Sequence, residues 1–303
     1  EGTEVTITVL RDGKEYEATA TREKLEAHTI EYEMKEDHIG YVRVTEFDMV
    51  TYNQFVEAIT DLKKQGMKGI IIDLRGNPGG NLSTVCQMLD YILPEGLIVY
   101  TEDKDGKREV MTSDEEHKLE MPMTVLVDGR SASASEIFAG AIQDYQLGTL
   151  VGTTTYGKGV VQQLFDLKDG TCLKLTIAEY FTPKGRNIHE KGIKPDVEVE
   201  YQYDKNNADA DNQLDKAIDF LLAFLILALC SKYPSTFPVV LPILLLYPLQ
   251  RLVMVSSYRP SPQLEEDYVV ELGEHLLRGH ISVIVRPTAY LGVEFANYIR
   301  LLG

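Results

Sequence analysis

Three serines alternate with two alanines in Ser131-Ala-Ser-Ala-Ser-Glu136, and a lysine between glycines follows in Thr155-Tyr-Gly-Lys-Gly-Val-Val-Gln162. Small residues let a nucleophile occupy a tight strand-to-helix elbow at little steric cost. Gly157 and Gly159 let the lysine backbone approach a neighbouring strand closely. Burial disfavours the charged form of a lysine, so a buried one can take the proton of a serine hydroxyl as a neutral amine. The chemistry of such a pair is acyl transfer through a Ser-Lys dyad.

Ser133 is the candidate nucleophile because it is the central serine, with alanine on both sides; all three serines are equally able to cap the following helix, and Ser135 is the expected cap. Lys158 is the candidate general base, set among the apolar Tyr156, Val160 and Val161 and expected on a strand facing inward. Gln162 is four residues on, on the same face of that strand, where it can accept a hydrogen bond from the amine. Ala134 follows the nucleophile and offers one backbone N–H to an oxyanion. The glycines of Gly76-Asn-Pro-Gly-Gly80 can turn a second amide inward, with Gly79 the chosen donor and Gly80 the alternative. Asp73 and Arg75 flank that loop as an ion pair or brace. His189 is the one histidine worth weighing for a Ser-His-Asp triad, and its polar setting in Arg186-Asn-Ile-His-Glu-Lys-Gly192 suits an exposed loop instead. No metal-ligand or nucleotide motif occurs.

Five motifs carry a family resemblance: Asp73-Leu-Arg-Gly-Asn-Pro-Gly-Gly80, Gly129-Arg-Ser-Ala-Ser-Ala-Ser-Glu-Ile137, Gly157-Lys-Gly-Val-Val-Gln162, Tyr180-Phe-Thr-Pro-Lys-Gly-Arg186 and Gly192-Ile-Lys-Pro-Asp196. With these in this order, residues 1–218 resemble the carboxyl-terminal processing peptidases, or tail-specific proteases. The resemblance implies an α/β peptidase core of the crotonase/ClpP-like kind and a Ser-to-Lys spacing of 25 residues, which Ser133 and Lys158 satisfy. It also implies that Gln162 orients the lysine and that Asp144, 11 residues after Ser133, supports activity. By the same resemblance the enzyme needs no cofactor and takes extended C-terminal tails of proteins or peptides. Its place would be outside the cytoplasm, membrane-attached, periplasmic or secreted. A reading from a different class is a catalytically inactive peptide-binding scaffold.

The elements that would position these residues alternate along the chain. Residues 1–22 are two period-2 strands around Asp12-Gly13, a hairpin pattern. By resemblance it is the closing hairpin of an otherwise missing PDZ domain. Residues 23–203 form the expected core. Ile39–Val44, Gly69–Leu74, Leu97–Tyr100 and Met123–Val127 read as strands, and Tyr52–Gln65, Leu82–Leu93 and Ser135–Gln143 as helices. Gly159–Leu167 and Cys172–Tyr180 read as a hairpin around Lys168-Asp-Gly170. Such alternation predicts a mostly parallel sheet with helices packed on it.

Residues 204–218 are the expected linker and terminal helix, and the composition changes beyond them. Residues 1–218 hold 17 Lys and 7 Arg against 1 Lys and 5 Arg in 219–303, where an apolar run, Phe220–Cys230, precedes the proline-interrupted Tyr233–Gln250. Residues 219–303 are left unassigned, with three readings: sequence foreign to the peptidase, a packed accessory domain, or a membrane hairpin. Membrane association is therefore expected either through this tail or through a segment preceding Glu1.

A net charge of −17 argues against a nucleic-acid partner, since no basic surplus exists to displace counterions. With 44% apolar and 25% charged residues the chain has the composition of a folded globular protein. Its three cysteines, Cys86, Cys172 and Cys230, have spacings that suggest neither a disulfide framework nor a metal site.

Overall fold

The computed structural model describes residues 1–232 apart from residues 115, 117 and 208, and describes 226–232 by backbone alone. It opens with an antiparallel hairpin, β1 (Glu4–Arg11) and β2 (Lys14–Thr21). Arg11 faces Lys14, so the turn is Asp12 and Gly13, both at positive φ, as a two-residue hairpin turn that matches strand twist requires. In chain order there follow β3 (Ile30–Met34), β4 (Ile39–Val44), α1 (Thr51–Lys64), β5 (Gly69–Asp73), α2 (Leu82–Asp90), β6 (Gly96–Asp103) and β7 (Arg108–Ser113). Then come β8 (Met123–Val127), α3 (Ala134–Tyr145), β9 (Thr149–Gly152), β10 (Val160–Asp166), β11 (Cys172–Phe181), β12 (Val197–Glu198) and α4 (Asn212–Lys232).

Six strands form one sheet in the order β12-β9-β8-β5-β4-β3, parallel throughout except for β3 at the edge. This is the sheet the alternation predicts. A second, antiparallel sheet of order β10-β11-β6-β7 contains the expected hairpin as β10 and β11; its extension through β6 to β7 was not legible beforehand, because β7 is a mostly exposed strand with charges at one end and no clean alternation.

The run Gly69-Ile-Ile-Ile-Asp73 shows why the main sheet has helices on both faces. Successive strand residues point to opposite sides. Ile70 and Ile72 enter one core with Phe55, Ile59, Val85, Val125, Val127, Phe138 and Ile142. Ile71 enters the opposite core with Leu126, Val151, Ala217, Leu221 and Leu225. Helices α1, α2 and α3 supply the first cover and α4 the second.

Ala217, Leu221 and Leu225 recur every four residues, the spacing of one helix face. A Cβ on Gly69 would stand 2.0 Å from Leu221 Cδ2, so the glycine makes room for the helix. Because α4 is continuous through residues 218 and 219 and buries Leu221 and Leu225 fully, the break in composition does not coincide with the end of the core. Among the described residues no helix is long and apolar enough to cross a membrane. Tyr233–Gln250 and the remainder of the expected tail lie outside the described residues.

Candidate active site

The site is assembled where β5 and β8, neighbours in the parallel sheet, each run into a loop at their carboxyl ends. Asp128 organises the meeting. Its Oδ1 accepts from the amides of Gly76 (2.9 Å) and Arg130 (2.9 Å), so it ties the loop after β5 to the loop after β8. Burial alone would raise its pKa. Hydrogen bonds from the Gly76 and Arg130 amides and from the Arg130 guanidinium outweigh that and hold it below the ordinary aspartate range.

The three serines divide their work. Ser131 and Ser135 are fully buried: Ser131 Oγ donates to Leu74 O (2.7 Å) and Ser135 Oγ to Asn77 O (3.0 Å). Both are struts between the two loops, and Ser135 does not cap the helix as expected. The capping position is Ser133, half-exposed, at φ 57 and ψ −114. A non-glycine residue there sits in a strained region, a feature of nucleophile elbows. Ala134, the first residue of α3, keeps its amide without a hydrogen-bond partner among the described residues.

Glu136 is the residue that sequence reasoning passed over. It is fully buried and accepts four hydrogen bonds. Oε1 takes Thr155 Oγ1 (2.6 Å) and the Gly157 amide (2.7 Å), and Oε2 takes the amides of Ser133 (2.9 Å) and Lys158 (2.8 Å). Its signal was the Ser-x-x-Glu spacing of a capping box, in which the third helical residue reaches back to the cap amide. Tyr180, buried on β11, adds a hydrogen bond from its hydroxyl to Ser133 O (3.0 Å). Burial and the Glu136 charge both push the Tyr180 pKa up, keeping it a donor.

Lys158 is half-buried and lies in the connection between β9 and β10, two residues before β10, not on an inward-facing strand position as the pattern suggested. Its two glycines serve close approach, but mainly to the turn at 188–192. A Cβ at Gly157 would meet Gly192 N at 3.0 Å, and one at Gly159 would meet His189 N at 2.6 Å. His189 is half-buried against Gly159, with Nδ1 enclosed and without a hydrogen-bond partner among the described residues, in place of the exposed loop position expected for it. Gln162 is exposed at a register irregularity between Val161 and Gln162, which breaks the simple alternation that would align it with Lys158. No hydrogen bond joins the Lys158 and Gln162 side chains, or Ser133 Oγ and Lys158 Nζ, among the described residues.

Gly79 packs directly under the elbow. A Cβ there would lie 2.7 Å from Ser133 Cβ and 3.0 Å from Ala134 N. Its amide donates to Asn77 Oδ1 (2.8 Å), whereas the Gly80 amide has no partner among the described residues. Asp144 is placed away from these groups, at the far end of α3. It accepts from Lys184 N (2.9 Å) and pairs with Arg186 (2.5 Å), fastening the turn after β11. Among the described residues no group of histidine, cysteine or carboxylate side chains is arranged to hold a metal ion.

Residues 38–199, which contain every one of these groups, match the model of Peptidase family S41. The chain belongs to peptidase family S41. A carboxyl-terminal-processing protease of Synechocystis sp. is 39% identical over 228 residues, 72% of this chain and 53% of the relative. The carboxy-terminal processing protease CtpA of Bacillus subtilis is 39% identical over 201 residues, 66% and 43% of the respective chains. Among solved structures, a photosystem II D1 C-terminal processing protease superposes with a TM-score of 0.54 at 29% identity, over 68% of this chain and 59% of that one. The chain thus spans about half the length of the curated relatives it matches. These S41 relatives confirm the resemblance drawn from the five motifs.

Proposed function

We propose that this S41 chain is a serine endopeptidase that cleaves protein substrates at or near their C-terminus, with Ser133 as nucleophile and Lys158 as general base. One observation carries the assignment: Ser133 stands alone of the three serines, half-exposed on a strained elbow, with its amide on the same Glu136 oxygen as that of Lys158. Lys158 Nζ, as the amine, takes the proton of Ser133 Oγ while Oγ adds to the scissile carbonyl. The oxyanion is met by the Ala134 amide and by one from the 79–80 loop. Gly80 offers an unoccupied N–H, and Gly79 does so on releasing Asn77 Oδ1. Collapse expels the amine of the leaving segment, protonated by Lys158, and water then hydrolyses the acyl-enzyme. In the substrate complex Gln162 orients the lysine. Asp144 supports the reaction by holding the 182–186 turn that follows Tyr180.

The same reading makes the core crotonase/ClpP-like, β1 and β2 the closing hairpin of a PDZ domain, and the place of action extracytoplasmic, as the resemblance to processing proteases suggests. The substrate is an extended C-terminal tail added along β10, the edge strand next to Lys158.

The deciding experiment is labelling with a fluorophosphonate probe, comparing wild type with Ser133→Ala and Lys158→Ala. The expected result is label on wild type that is lost in both variants. A folded wild type without label, or label surviving in Ser133→Ala, overturns the assignment.

A further inference from the structure

Arg75, the last residue before the Gly76–Gly80 loop, is held by two carboxylates far apart in sequence. Its Nε and Nη2 donate to Asp73 (3.0 and 2.6 Å), while Nη1 and Nη2 reach Asp211 (2.9 and 2.7 Å). Nη1 also donates to Gln213 Oε1 (3.1 Å). Asp73 is itself buried and accepts from the Tyr41 hydroxyl (2.7 Å). Asp211 and Gln213 belong to the start of α4, beyond the polar stretch 204–210. Asp211 Oδ1 additionally caps that helix through the amides of Gln213 (3.1 Å) and Leu214 (3.0 Å), and Gln213 Nε2 donates to Val199 O (2.7 Å).

We infer that Asp211 is a positioning residue for the active site: it clamps Arg75, and through it the Gly76–Gly80 loop, so that a competent site requires α4 to be seated on the sheet. The inference rests on the peptidase reading for its consequence in turnover, but the clamp itself does not. A bidentate guanidinium–carboxylate pair fixes direction as well as distance. The guanidinium is largely buried, with its side chain 15% exposed, so solvent screens this pair less than a surface pair. Burial alone would lower the Arg75 pKa, and the hydrogen bonds and charges of Asp73 and Asp211 raise it instead. Burial alone would raise the Asp211 pKa, but the hydrogen bond and charge of Arg75 together with the Leu214 and Gln213 amides outweigh it and hold the carboxyl below the ordinary aspartate range. Beyond Arg75 the loop is gripped on the other side by Asp128 through the Gly76 amide. It therefore has one anchor on the nucleophile elbow and one on α4.

The substitution Asp211→Asn separates the clamp from the cap, since asparagine caps a helix as well as aspartate but carries no charge for Arg75. Two readouts are needed on the full chain: amide hydrogen exchange of the 74–81 segment, and the rate of fluorophosphonate labelling together with kcat and KM on a peptide substrate. The expected result for Asp211→Asn is faster exchange in 74–81 with β1 and β8 unchanged. Labelling and kcat should fall by about tenfold, the weight of one charge-assisted hydrogen bond, at nearly constant KM. Asp211→Glu should recover part of each. Wild-type exchange in 74–81 overturns the inference, as does loosening spread equally over α4 and the sheet. If wild type itself takes no label, the peptidase reading fails, and the exchange measurement still decides the clamp.

Discussion

Ser133 and Lys158 donate their backbone amides to one and the same atom, Oε2 of Glu136, at 2.9 and 2.8 Å. Their nitrogens therefore lie no farther apart than those two lengths laid end to end, although 25 residues separate them in sequence. A buried acceptor shared by two main-chain donors fixes backbone positions and leaves both side chains to move. The elbow and the lysine loop are thus set side by side by one buried carboxylate, whatever rotamers the two side chains adopt.

Replacing Glu136 by glutamine tests this directly. Each carboxylate oxygen accepts two donors, so an amide NH2 must face a pair of donors at one end. Leaving buried donors unpaired costs about 1–3 kcal/mol each. The expected loss of unfolding free energy is about 3 kcal/mol, read from urea denaturation, with fluorophosphonate labelling abolished. Near wild-type stability with full labelling would show that the shared acceptor is dispensable.

Gly79→Ala should disable the site more than it harms the fold. The added Cβ would stand 2.6 Å from Ala132 O and 2.7 Å from Ser133 Cβ, on a residue at φ +103. Gly170→Ala is the control, with φ +86 and nothing within 4 Å of its Cβ. Both variants carry a backbone penalty of about 1 kcal/mol. Only Gly79→Ala should also lose labelling, by about a hundredfold or more, since the elbow must shift to admit the methyl. Equal labelling of the two variants would remove Gly79 from the site.

Asp128 gives the protein an acid-sensitive joint. Its folded pKa lies below the unfolded value, so its contribution to stability is complete above the ordinary aspartate range and is lost as pH falls through the folded value. Asp128→Asn forgoes that contribution at every pH. The melting temperatures of wild type and Asp128→Asn should therefore differ at about pH 6, and the gap should narrow steadily as pH falls below the ordinary aspartate range. A gap that stays constant with pH would mean that the Asp128 charge is not what joins the two loops.

The features that pointed to the candidate site were legible because their logic is local. The alternating small residues around Ser133, the glycines flanking Lys158 and the run Gly69–Asp73 each carry a steric or burial requirement within a few positions. Gln162 and Asp144 were less so. The register irregularity at Val161 and Gln162 depends on how β10 meets β11, and the pairing of Asp144 with Arg186 depends on a turn 40 residues away. The sequence named Ser133 as nucleophile and Ser135 as cap, but the strut roles of Ser131 and Ser135 emerge only once Leu74 and Asn77 are placed beside them.

By itself the sequence determined several elements: a two-residue Asp-Gly turn, strands buried on both faces and a small-residue elbow, whereas the stripe of Ala217, Leu221 and Leu225 crosses the composition break and reads as helix only up to residue 218. These follow from backbone sterics and from the two periods, 2.0 and 3.6, with which side chains take sides. The tertiary structure alone decided which distant groups share a partner. Glu136 joins the elbow to the lysine loop, and Arg75 joins the β5 loop to α4, because a buried charge must collect donors or counter-charges from whatever segments the packing brings within reach.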